Sequence, residues 1–269
     1  MLALLLFAAA LRILGISYPV WTDEGWSIWA SSDPTQVIGI LAADRHPPLY
    51  FAALSLWRIP AGDTHLALRF LSIAAGLILV ALVYRIGADV FGRPAGIFAV
   101  LLFAALPIAV YYAQEIRHYG WLALFSALSW LIFLRYLKRP TRSLWVAYVL
   151  SITAMLYTLY FAVFTLAVQG VIILTSPPNP LSIKWRGEAD RRTTGSHEAG
   201  VRFRAKIALI GAWLSAAILY IPWLYVIVTQ QAGILGSGIS GFPGTLSVDN
   251  VISVVQTVFS AQMAIPLIA

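Results

Sequence analysis

The chain has 269 residues, of which 60% are hydrophobic and only 11% charged, with a net charge of +7 and a mean hydropathy of +0.83. These values exclude an ordinary water-soluble domain, and apolar runs of about 15 to 23 residues, set against a hydrocarbon core of roughly 30 Å, predict an all-α bundle of transmembrane helices. The runs do not alternate as barrel strands would, the basic residues do not line one face as a nucleic-acid binder's would, and the absence of cysteine removes disulfides and thiolate metal sites.

In chain order the expected spans are Leu2 to Tyr18, Leu66 to Gly87, Pro94 to Tyr112, Trp121 to Leu137, Leu144 to Tyr160, Phe161 to Thr175 and Ile207 to Val228, about seven in all. The first has no small-residue cleavage site after it and reads as a retained anchor; Arg12 within it reads as a snorkelling or bundle-facing residue. The fifth and sixth runs are nearly continuous, so a turn near Tyr157 to Phe161 is expected to separate them or to make them one re-entrant pair. Trp and Tyr gather at run ends, as at Trp21, Tyr111, Tyr112, Trp145 and Tyr160, where amphipathic rings prefer the interface.

Charge sets the orientation. With the N-terminus in the cytoplasm, Arg85, Arg93, Arg135, Lys138, Arg139, Arg142 and the basic residues from Lys184 to Lys206 fall on the cytoplasmic side, as the positive-inside rule requires. Asp23, Glu24, Asp33, Asp44, Asp63, Glu115 and Asp249 fall on the other.

The segment 19–65 is the long outside loop. Asp23 to Ala30 and Pro34 to Ala43 carry helix-like apolar spacing, with Asp33 as a cap and Pro34 at the first helical position, and read as amphipathic juxtamembrane helices. Pro47 to Pro60 is apolar but too short to span, which suits a helix sunk partly into the outer leaflet. Three domains are expected: a membrane module over 1–175, a flexible basic loop over 176–206, and further membrane sequence over 207–269 with a glycine-rich outside loop from Gly233 to Gly244. The apolar ending at Ala269 predicts a piece of a longer protein.

Three groups of residues stand out chemically. In WTDEGW, Asp23 and Glu24 are adjacent acids beside aromatic rings at an interface; this suits a general base, and a pair complementing a helix dipole explains it equally well. In DRHPPLYF, His46 could bind a phosphate or an acceptor, although a histidine beside two prolines more commonly stabilises a turn. In YYAQEIRHYG, Tyr111, Tyr112, Gln114, Glu115, Arg117, His118 and Tyr119 crowd one membrane turn, which packing alone does not explain. Arg69, near the outer end of the second span, is costly there unless it is paired or faces a polar cavity; its planar fork can grip phosphate, or it can snorkel to headgroups.

WTDEGW, DRHPPLYF, LRFLS and YYAQEIRHYGW, in that order over roughly the first 175 residues, resemble the GT-C glycosyltransferases, in particular the bacterial branch similar to protein mannosyltransferases and aminoarabinose transferases. The resemblance implies a sugar donor on a polyprenyl phosphate, transfer with inversion at the outer face of the cytoplasmic membrane, and a glycan, lipid or protein acceptor. It also implies Asp23 as the base with Glu24 beside it. Arg69 or Arg117 would hold the donor phosphate, with Glu115 orienting Arg117 or the sugar and His46, Tyr112, His118 and Tyr119 lining the site. Asp23, Glu24 and Glu115 offer oxygen ligands suited to Mg or Mn, but no spacing demands a metal, and the metal question stays open. A transporter or flippase of lipid-linked sugars and a non-catalytic scaffold are the alternatives. The polar groups collect at one face rather than the midplane, and no internal repeat is visible, which disfavours the transporter.

Overall fold

The computed structural model describes residues 2–14, 16–44, 46–175 and 195–236, with the side chains of the last helix described over 204–229. These residues form helices and turns without a strand. The helices are α1 (Leu2–Ile13), α2 (Thr22–Ala30), α3 (Val37–Asp44), α4 (Leu49–Ala61), α5 (His65–Phe91), α6 (Arg93–Ala105), α7 (Pro107–Gln114), α8 (Tyr119–Lys138), α9 (Arg142–Leu156), α10 (Ala162–Thr175) and α11 (Gly195–Gly236).

Each of the seven expected runs falls on a helix, but not each helix has the length of a span. Among the described residues α5, α8 and 204–229 of α11 are long and apolar enough to cross a membrane, and the bent pair α6 and α7 makes a fourth. Leu2–Ile13, Arg142–Leu156 and Ala162–Thr175 are apolar but have 12, 15 and 14 residues. At about 1.5 Å per residue they are shorter than a hydrocarbon core of roughly 30 Å. α9 stops where expected, at a turn over Tyr157 to Phe161.

α5 is the central post, packed against α1, α6, α7 and α8. Thr64 caps its start by accepting from the Ala67 amide at 3.2 Å, and Gly92 ends it with a φ of 94°, a left-handed conformation that favours glycine. α6 then returns along α5 so closely that a Cβ on Gly96 would lie 2.8 Å from the Tyr84 carbonyl oxygen. Small residues allow this approach where lipid supplies no hydrophobic drive between helices. α8, α9, α10 and α11 form the second half around Phe133, Tyr148, Ile152, Met155 and Leu209.

The expected single run from Pro94 to Tyr112 is broken by 61° at Leu106. Pro107 has no amide hydrogen and holds Leu106 in an extended conformation, which frees carbonyls at the end of α6. Arg12 is buried and bundle-facing there: its Nη1 donates to the Ala104 oxygen at 3.3 Å and to the Ala8 oxygen at 3.1 Å. Gln114 answers from the far end of α7, its amide lying 2.9 to 3.4 Å from the oxygens of Leu11, Arg12 and Leu14 at the end of α1.

α2, α3 and α4 roof one end of the bundle. α3 begins at Val37 rather than Pro34, because the Asp33 carboxylate binds the Thr35 amide at 2.8 Å and folds 34–36 into a turn. α4 buries Tyr50, Phe51 and Leu54 and leaves Leu56 and Ile59 exposed. Arg58 of α4 donates to the Ile28 oxygen near the end of α2 and ties the roof together, while Trp57 Nε1 donates to the Ala67 oxygen of α5 at 2.8 Å and the Leu49 amide to the Tyr157 oxygen at 2.9 Å, so the roof is fastened to both halves. Of the expected loop 176–206, residues 176–194 lie outside the described residues and the backbone from Gly195 is helical; Arg45, Asp249 and the stretch beyond Gly236 are also outside them.

Candidate active site

The site forms under the roof, where the end of α1, the start of α2, the first turns of α5 and the α7–α8 turn meet. Glu24 on α2 and Arg69 on α5 are both fully buried and face each other, with Nη2 to Oε2 at 2.9 Å and Nε to Oε1 at 3.4 Å. Glu24 Oε1 also accepts from the Ile116 amide at 3.0 Å, which draws the α7–α8 turn against α2. The remaining donors of Arg69 reach the carbonyl oxygens of Ile16 and Tyr18, and the Tyr18 ring lies 3.7 Å from its guanidinium carbon. Arg69 is therefore spent on the fold: it joins the exit of α1 to α2 and α5, and it neither snorkels nor presents a free fork.

Asp23 and Arg117 are held differently. Asp23 is half-buried and its Oδ2 has no hydrogen-bond partner; the nearest cation is Arg117 Nη2 at 3.7 Å. Arg117 is buried, and its Nη1 makes long bonds of 3.4 Å to the Asp23 carbonyl and 3.3 Å to Ser27 Oγ. Its Nε has no partner. The rings of Trp26 and Tyr119 lie 6.0 and 5.6 Å from its guanidinium carbon. Loose bonds and an open donor leave this arginine able to take an anion.

Around this pair lie groups that are neutral or costly to charge. Burial drives the His118 imidazole well below its usual pKa, with Arg117 and His46 pushing the same way, so it is neutral at physiological pH. Burial also raises the Glu115 carboxyl; the hydrogen bond from Tyr111 and the charge of Arg117 oppose this, and Glu24 and Asp23 reinforce it. Glu115 Oε2 and His118 Nδ1 have no hydrogen-bond partner. His46 follows α3, packs at 4.6 Å against Trp26 with the rings tilted by 36°, and approaches His118 at 5.9 Å; its Nδ1 is 2.9 Å from Asp44 without hydrogen-bond alignment.

The structure thus gathers Asp23, Glu24, His46, Arg69, Glu115, Arg117, His118 and Tyr119 into one cluster, with Tyr112 at its exposed margin, in ring contact with Tyr119 at 5.3 Å. Trp26, Ser27 and Tyr18 belong to it and sequence reasoning missed them. Trp26 and Ser27 sit three residues beyond Asp23 and Glu24, one turn further along α2, and that spacing could have found them.

Residues 45–186, more than half of the chain, match the family of dolichyl-phosphate-mannose-protein mannosyltransferases. The chain belongs to this family. Family membership points to glycosyltransferase activity, and together with the apolar helices it makes the chain a multi-pass membrane protein. The match takes in His46, Arg69, Glu115, Arg117, His118 and Tyr119, whereas WTDEGW, with Asp23 and Glu24, precedes it. No curated protein and no solved structure matches the chain.

Among the described residues no three acidic or histidine side chains converge as a group able to hold a metal ion. The residues weighed for Mg or Mn fit poorly in this arrangement, since both oxygens of Glu24 are turned to the Arg69 guanidinium.

Proposed function

We propose that the protein is a GT-C glycosyltransferase that moves a sugar from a polyprenyl phosphate to an acceptor hydroxyl, with inversion, at the non-cytoplasmic face of the bacterial inner membrane. The observation that carries this is the division between the two acid–arginine pairs. Glu24 and Arg69 saturate each other, while Asp23 keeps an unbonded carboxylate oxygen beside Arg117, the loosely held cation.

Asp23 takes the proton of the acceptor hydroxyl as its oxygen attacks the anomeric carbon. The bond from that carbon to the phosphate oxygen breaks, and the electron pair leaves with the polyprenyl phosphate. That leaving group is a stable anion and needs no acid; it needs a cation, which Arg117 supplies. Glu115 orients Arg117 or the sugar, and neutral His118 with His46 and Tyr119 closes the site.

Orientation follows from charge. Arg69 and Asp89 are twenty residues apart on α5, about 30 Å along the axis. At the far end Asp89 binds Arg135 at 2.9 Å and Arg85 at 3.1 Å, among the basic residues that belong in the cytoplasm. With the short helices α1, α9 and α10 counted as crossings met by local thinning of the bilayer, about seven spans place the N-terminus in the cytoplasm and the site outside.

The test is transfer from a radiolabelled polyprenyl-phosphate hexose by the detergent-solubilised protein with a mixed pool of acceptors. Asp23→Asn should lower turnover by about 10² to 10⁴-fold with donor binding kept. Arg117→Ala should lower it by about 10² to 10³-fold. Unaltered turnover in both variants contradicts the mechanism. Movement of the intact lipid-linked sugar across vesicles without transfer would favour a transporter.

A further inference from the structure

Beside the cluster, between α2 and α3, lies an open cleft of about 720 Å³ that no step above uses. This is within the range of roughly 300 to 1,000 Å³ in which small-molecule sites fall. Trp26 and Trp29 of α2 form one wall, and Thr35, Gln36, Gly39 and Asp44 contribute to the other. Trp29 is 58% exposed, a large ring left open beside polar groups. A Cβ added at Gly39 would meet nothing within 4 Å, so the space over α3 is free.

We infer that this cleft is a saccharide subsite and that it takes a pyranose of the acceptor. A pyranose has an apolar face of C–H bonds and a rim of hydroxyls. Indole rings suit the face, and the carboxylate of Asp44 and the carbonyl of the Gln36 amide can accept from the hydroxyls. The Gln36 amide nitrogen is already fixed by Asp33 at 2.7 Å, which leaves its oxygen for a ligand.

Position assigns the ring to the acceptor rather than the donor. Asp23, Trp26 and Trp29 follow one another at three-residue intervals, so Trp29 is about 9 Å along the axis of α2 from the base. Trp26 joins the two places: it lines the cleft, packs against the His46 ring and flanks Arg117. A chain with one pyranose on Trp29 would extend its neighbouring unit along Trp26 toward Asp23, while the donor phosphate stays at Arg117. The inference rests on the glycosyltransferase reading for the word acceptor, but saccharide binding does not depend on turnover.

The experiment measures binding of mannotriose, cellotriose and chitotriose to the solubilised full chain by tryptophan fluorescence and saturation-transfer NMR, with a Ser/Thr-rich peptide for comparison. At least one trisaccharide should bind saturably to the parent and equally to Asp23→Asn. Trp29→Ala should weaken that binding about tenfold or more. Gly39→Leu, which removes no contact and fills the cleft, should abolish it at an unchanged melting temperature, and transfer to the same saccharide should fall in both. The subsite is overturned if no trisaccharide binds while transfer to the peptide proceeds, if neither variant alters binding, or if Trp29→Ala changes only association with lipid vesicles. Trisaccharide binding that depends on Trp29, in a protein that transfers no sugar, would leave the subsite standing and remove the glycosyltransferase reading instead.

Discussion

Among α8, α9, α10 and α11, the Tyr148 hydroxyl donates to Gln169 Oε1 at 2.6 Å, Gln169 Nε2 donates to Ser129 Oγ at 3.1 Å, and Trp213 Nε1 donates to Tyr148 at 2.9 Å. Each polar side-chain atom in that buried network has a partner. Under the roof, by contrast, Tyr18 Oη, Asp23 Oδ2, Glu115 Oε2, Arg117 Nε and His118 Nδ1 are buried without a hydrogen-bond partner. An unmade buried bond costs about 1 to 3 kcal/mol; elsewhere among the described residues such atoms occur on one or two side chains to a helix, at Arg12, Ser55, Thr153, Tyr220 and Trp223, whereas here five side chains gather at one place. The comparison separates polarity that holds helices together from polarity held open for a ligand, and it divides the second cluster internally: Glu24 and Arg69 are finished, Asp23 and Arg117 are not.

The largest effect that sharpens this division belongs to Arg69→Ala. It strands the buried carboxylate of Glu24 and should cost about 3 to 5 kcal/mol of stability, read by thermal unfolding in detergent. A variant with unchanged melting would show that this pair does not bind α2 to α5. Next is Gln169→Leu, which takes from the Tyr148 hydroxyl its acceptor and from Ser129 Oγ a donor, and should cost about 1 to 3 kcal/mol while turnover per folded molecule stays at the parent value. Lost turnover there would break the contrast between the two clusters.

The smallest effect concerns Glu115. Its carboxyl is raised by burial in the folded protein, so the native state holds its proton more tightly than the unfolded chain does. Stability from this group is present below the unfolded carboxyl range and is lost as pH rises through the folded pKa. Glu115→Gln should therefore raise the melting temperature at neutral pH and leave it little changed near pH 4. The opposite pH trend contradicts the assigned cause.

Much of this was legible in the residues. Hydropathy placed each apolar run on a helix, and the crowding at YYAQEIRHYG, the acids of WTDEGW and the costly charge at Arg69 pointed to one cluster. What hydropathy could not supply was helix length in space. The break at Leu106 was signalled only by Pro107, whereas the turn between α9 and α10 near Tyr157 to Phe161 was expected from two nearly continuous runs. Nor could spacing say which arginine pairs with which acid. Asp23 and Glu24 are neighbours in sequence, and on a helix neighbours point about 100° apart, so one enters the bundle and the other faces the site. Arg12 showed no partner in the sequence because its partners are backbone oxygens, one of them exposed by the break in a distant helix.

The most direct test exchanges the roles of the two adjacent acids by measuring melting temperature and sugar transfer for Asp23→Asn and Glu24→Gln in parallel. Asp23→Asn should melt with the parent and lose transfer, whereas Glu24→Gln should melt well below it because Arg69 is left buried without its carboxylate. An Asp23→Asn protein that still transfers sugar, beside a Glu24→Gln protein that is stable and inactive, would reverse the assignment of base and brace.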